Sequence, residues 1–220
     1  MPDKENDYWE NILACQFETQ VKTGPKALRL CSKRGATGAK RPARVTIEFV
    51  SDEKRRSLKK ALVRQILNSE KCEHWQPRWF NFIIRVYYPS PQAHQAIGFM
   101  LLDLSLEQAQ EPEDALFEIY LDLVWVEPKF RSCGLSNAFM EGFSRWFLQT
   151  GIPKGRPPWK RCSIKMGAEV HSTEGLAVCN KLFHTLKNCC LGQDSIGEGY
   201  STRTPSWRAH DFLYELYVKT

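Results

Sequence analysis

The chain has eight cysteines, at 15, 31, 72, 133, 162, 179, 189 and 190, but no C-x-x-C pair. A disulfide scaffold or a short-spaced zinc site therefore lacks its framework, and His171 with Cys179 or His184 with Cys189 stand at separations unlike those of zinc ligands. No metal is expected. The opening MPDKENDYWEN alternates charges where a secretory leader would carry a basic segment and an apolar run, so a cytoplasmic chain with reduced thiols is expected. The longest stretch free of Asp, Glu, Lys and Arg is 86 to 102, VYYPSPQAHQAIGFMLL, and its prolines, glutamines and histidine would be costly in hydrocarbon. No membrane span is expected. A P-loop, a G-x-S-x-G turn and an H-E-x-x-H pair are all missing, which leaves nucleotide hydrolysis, serine hydrolysis and zinc proteolysis without an anchor. There is no internal repeat.

What is present is enough for a packed core: 220 residues, 42% hydrophobic and 25% charged. Thirty-one basic against 25 acidic side chains leave a net charge of +6, which suits an acidic partner without requiring one. The charge is unevenly spread. From Thr19 to Ile47 there is no acidic residue, while Lys22, Lys26, Arg29, Lys33, Arg34, Lys40, Arg41 and Arg44 are all basic. Within this stretch GPKALRLCSKRGATGAKRPAR, 24 to 44, with its Gly, Ala and Pro and no apolar period, reads as a mobile basic arm in an extension spanning 1 to 44. Residues 8 to 21 before it suit a short helix.

From 45 onward the pattern is regular. VTIEFV at 45 to 50 alternates as a half-buried strand, and Ser51 or Asp52 offers an N-cap to an amphipathic helix in which Leu58, Ala61, Leu62, Ile66 and Leu67 recur at helical spacing under a basic outer face. WFNFIIRVYY at 79 to 88 and AIGFMLLDL at 96 to 104 read as antiparallel neighbours. A long strand at 116 to 126, LFEIYLDLVWV, puts Phe117, Ile119, Leu121 and Leu123 on one face and Glu118, Tyr120, Asp122, Val124 and Val126 on the other. A helix over 134 to 149, a strand at 161 to 166, a helix from Ser172 or Thr173 to about 187 and a strand at 212 to 218 complete the series.

The turn R-S-C-G-L-S joins the long strand to the next helix, whose first-turn N–H groups and dipole favour an anion. Gly134 allows close approach of the backbone, and Arg131 adds a permanent charge. The phrase L-V-W-V-E-P-K-F-R-S-C-G-L-S, 123 to 136, resembles the acetyl-coenzyme A motif of the GNAT superfamily of N-acetyltransferases, V-x-P-x-[YF]-R-x-x-G-[IL]-[GAS]. Val126, Pro128, Phe130, Arg131, Gly134 and Leu135 match it; Ser132 stands for a common glycine and Ser136 for the last small residue. Over roughly 45 to 218 the order of elements is similar too.

This resemblance implies an α+β fold in three layers, α/β/α, with a mixed, mostly antiparallel twisted sheet flanked by helices, and an acetyltransferase domain at 45 to 220. It implies acetyl-coenzyme A as acyl donor, its pyrophosphate on the backbone of Arg131, Ser132, Cys133, Gly134, Leu135 and Ser136, and its pantetheine beside Val124 and Val126. Transfer to an amine then needs a base and an acid. Glu118 is the favoured base, with Asp122 and Tyr120 as alternatives. Cys179 falls where many family members carry an acidic tyrosine, with Tyr214, Tyr217 or solvent as other proton sources. Cys133 as an acyl nucleophile would need a base that the sequence does not supply nearby. The absent tyrosine leaves a second reading: a binding or regulatory module that has lost transfer.

The acceptor is an amine on a protein, on a small molecule or on an aminoacyl-tRNA. The arm, the helix face at 55 to 64 and the loop PKGRPPWKR are basic enough to meet nucleic-acid phosphate, although basic tails are more often simply solvated.

Overall fold

The computed structural model describes residues 17–21, 43–69, 77–87, 96–108, 114–131, 135–150, 161–170, 172–190 and 212–218. Seven strands form one sheet in sequence order: β1 Phe17–Val21, β2 Ala43–Phe49, β3 Phe82–Tyr87, β4 Gly98–Gln108, β5 Asp114–Val126, β6 Arg161–Val170 and β7 Phe212–Val218. β1 to β5 pair antiparallel throughout, whereas β5 with β6 and β6 with β7 are parallel. The protein is thus a mixed α/β structure on a mostly antiparallel sheet. Parallel neighbours need long crossovers, and helices supply them.

Among the described residues three helices cover the sheet: α1 Asp52–Ser69, α2 Leu135–Thr150 and α3 Thr173–Cys190. Alternation in β3 and β4 divides the apolar side chains between two cores. Phe82, Ile84, Val86, Met100, Leu102 and Leu104 meet α2 and α3, while Ile83, Phe99 and Leu101 meet Leu58, Leu62 and Ile66 of α1. Ala61 and Leu67 of the same helix are left exposed. The first core is rich in aromatics because α2 presents Phe139, Phe143, Trp146 and Phe147 at helical spacing. The result is α1, sheet, then α2 with α3.

Two expectations are corrected. Residues 17–21 are not helical but pair as an edge strand, Phe17 opposite Ile47 and Val21 opposite Ala43, because an unpaired β2 edge outweighs weak local helix propensity. Part of the 1 to 44 extension therefore belongs to the sheet. Residues 8–16 and 22–42, with most of the expected basic arm, lie outside the described residues.

The second correction concerns β5. Leu101 pairs with Leu123 but Leu102 pairs with Leu121, so Asp122 is an extra residue bulged out of the ladder. Alternation changes phase there. Phe117, Ile119 and Leu121 face α2 and α3, and so do Val124 and Val126, while Leu123 and Trp125 face α1. The single carboxylate-and-valine face expected for the strand does not exist.

Candidate functional site

The parallel ladder between β5 and β6 ends at Leu121 opposite Ala168, although β5 runs on to Val126 and β6 to Val170. Beyond that pair the β6-facing edge of β5 has no strand partner among the described residues. A cleft of about 580 Å³ opens there, lined by Val124, Val126, Phe130, Arg131, Leu135 and Ser136 and, across it, by Ser172, Glu174, Gly175 and Val178. Its floor is apolar and its rim polar.

Local chemistry explains each wall. After Val126 the chain makes a short 3-10 turn, Pro128–Phe130, with proline's fixed φ at its start and Phe130 buried. That turn swings Arg131 back, so its Nε donates to the Val126 carbonyl at 3.1 Å. α2 then begins at Leu135, and no acidic residue stands in its first turn to offset the positive end of its dipole. On the far wall Ser172 caps α3: its Oγ accepts from the Gly175 N–H at 3.0 Å and its carbonyl from the Leu176 N–H. Glu174 holds its proton less readily than an ordinary carboxyl, because a backbone N–H and the Thr173 hydroxyl donate to it. Among the described residues it is the one acidic group on a cleft wall that otherwise suits an anion.

Val124, Val126, Arg131, Leu135 and Ser136 therefore line one cleft. Ser132, Cys133 and Gly134, like His171, lie outside the described residues. Of the candidate bases, Glu118 stands where β5 and β6 are still paired and its carboxylate lies 3.3 Å from the Lys165 ammonium. Tyr120 is half-buried one pair short of the split. Asp122 is the first residue beyond it. The Arg78 N–H donates to Asp122 Oδ1 at 3.2 Å, and the second oxygen is enclosed without a partner. Burial pushes this carboxyl up to about 6, against the N–H groups of Arg78 and Trp79 and the charges of Lys59 and Arg78, all of which favour the ionised form.

Cys179 packs in the core of α3 and does not line the cleft; burial pushes its thiol up to about 11. No group of three or more His, Cys, Asp or Glu among the described residues could hold a metal ion, and no described helix is long and apolar enough to cross a membrane.

Three features carry no local sequence signal of function: the bulge at Asp122, the segment Arg78–Trp79 that clasps it, and Glu169. Arg78 reaches Glu169 at the end of β6 with an ion pair of 2.6 Å, so this segment spans the mouth of the split on the α1 side. Comparison with family models, with curated proteins and with solved structures returns no match.

Proposed function

We propose that the chain is an acetyl-coenzyme A-dependent N-acetyltransferase of GNAT-like fold. The observation that carries this reading is the ending of the β5–β6 ladder at Leu121–Ala168 with a cleft immediately beyond it. The edge of β5 beyond Leu121, to which β6 no longer pairs, offers backbone groups to the pantetheine amides, and Val124, Val126 and Phe130 offer it an apolar wall. The first turn of α2 and Arg131 suit the pyrophosphate.

Asp122 is the base in this reading. It faces α1, opposite to Val124 and Val126, and does not line the cleft, so an acceptor reaches it through the split between β5 and β6 only when the Arg78–Glu169 pair across its mouth opens. The acceptor amine nitrogen attacks the thioester carbonyl from the Asp122 side; the N–C bond forms, the C–S bond breaks, and the amine proton passes to the Asp122 carboxylate. A base titrating near 6 is ionised at neutral pH yet still basic enough to take that proton. The departing thiolate takes its proton from solvent, since Cys179 is shut in the core. That same burial favours the second reading, a module that binds the coenzyme without transfer.

The test is release of free coenzyme A thiol from acetyl-coenzyme A in the presence of a panel of amines. Thiol release that depends on an amine, with the acetylated amine found by mass spectrometry, is the expected result. Coenzyme binding without turnover on any amine would leave the module; neither binding nor turnover would remove both readings.

A further inference from the structure

α1 carries Asp52 and Glu53 in its first turn and then only basic charges: Lys54, Arg55, Arg56, Lys59, Lys60 and Arg64. Its apolar side is taken up by the sheet, through Leu58, Leu62 and Ile66. Arg56, Lys60 and Arg64 are all exposed, and no salt bridge among the described residues engages them. They recur every four residues, so they form one ridge with steps of about 6 Å. Adjacent phosphates along an extended polynucleotide strand are similarly spaced.

Beside this helix stands Trp79, 54% exposed and one of only two large hydrophobics so exposed among the described residues. The Arg55 guanidinium lies over its ring at 3.6 Å, which holds the indole in place while much of it stays open to solvent. A row of cations beside a fixed, exposed aromatic is the combination that holds single-stranded nucleic acid, by phosphate neutralisation and base stacking. A membrane surface fits less well. An interfacial helix needs its apolar face free, and that of α1 is buried.

We propose that the outer face of α1 and Trp79 form a docking surface for a single-stranded polynucleotide, its phosphates on Arg56, Lys60 and Arg64 and an unpaired base on Trp79. The surface adjoins Asp122, which the backbone of Arg78 and Trp79 clasps. Its occupancy does not depend on acetyl transfer.

The experiment is fluorescence anisotropy with the full chain, without coenzyme, on a labelled unstructured 20-nucleotide RNA and DNA, on a duplex of the same sequence and on anionic phospholipid vesicles. The single strand is expected to bind more tightly than the duplex. Arg56→Glu/Lys60→Glu/Arg64→Glu should weaken it at least tenfold and flatten the dependence of log K on log salt by about 2. Trp79→Ala should weaken the single strand about tenfold and leave the duplex unchanged. Arg56→Gln/Lys60→Gln/Arg64→Gln gives the same reading should the charge reversal fail to fold. Unchanged binding in a folded triple variant would overturn the proposal. Equal or tighter binding of vesicles, lost in that variant, would replace it with a membrane surface.

Discussion

Asp122 holds its raised pKa for a reason that can be tested without knowing the acceptor. Between about pH 4 and pH 6 the folded carboxyl keeps a proton that the unfolded chain has already released, so the native state binds more protons and stability falls as pH rises through that window. A shift of about two units corresponds to at most about 3 kcal/mol, and to less for a carboxyl that water partly reaches. Asp122→Asn removes the titration. Urea denaturation at pH 4.5 and pH 7.5 should show the variant gaining stability relative to the parent at the higher pH; a constant difference would mean that the carboxyl titrates normally. In the proposed reaction the same substitution removes the base, and kcat should fall about 100-fold or more, with the parent's rate rising through pH 6. Glu118→Gln, which breaks only a pair with Lys165, should leave kcat within a few-fold. The reverse ranking of the two variants would restore Glu118 as the base.

Most elements were legible because their patterns are clean: α2 and α3 from apolar spacing, β3 and β4 from short apolar runs, β7 from its dense apolar text. The bulge was not, and the reason lies in 123 to 126. Leu, Val, Trp and Val are apolar in every position, so either phase buries two of them, and only pairing with Leu101 and Leu102 decides which. β1 was missed for a different reason: FETQV has little pattern of its own, and its partner lies more than twenty residues away. On one wall of the cleft Val124, Val126, Arg131, Leu135 and Ser136 were legible from the strand-to-helix motif; the other wall, Ser172, Glu174, Gly175 and Val178, and Arg78, Trp79 and Glu169, all remote in sequence, were not. Packing at the element scale makes its own prediction. α2 sits so close to β2 that a Cβ on Gly142 would stand 2.7 Å from Val45 Cγ1. Gly142→Ala improves helix propensity by about 1 kcal/mol but crowds a fully buried, stiff valine at a cost of about 1–3 kcal/mol. The melting temperature should therefore drop by a few degrees, and a rise would show that α2 can move outward freely.

Across the whole molecule the sheet runs from β1 to β7 in chain order, so β1 and β7 are the outermost of the described strands. Removing residues 1–42 would strip β1 from β2 and from its place beside α2. The shortened chain should melt lower and self-associate through the bared β2 edge, as read by calorimetry and sedimentation; unchanged melting would mean that β1 adds nothing to the fold. The parallel half of the sheet is where the proposed chemistry gathers, because there the β5–β6 ladder ends at Leu121–Ala168 with the cleft beyond it. Calorimetric titration of acetyl-coenzyme A into the full chain and into Ser136→Trp tests this most directly, since an indole at the start of α2 would fill the cleft without touching the cores. A coenzyme site in this cleft predicts one molecule bound per chain and binding lost in the variant. Equal binding by both proteins, or none by the natural chain, would contradict it.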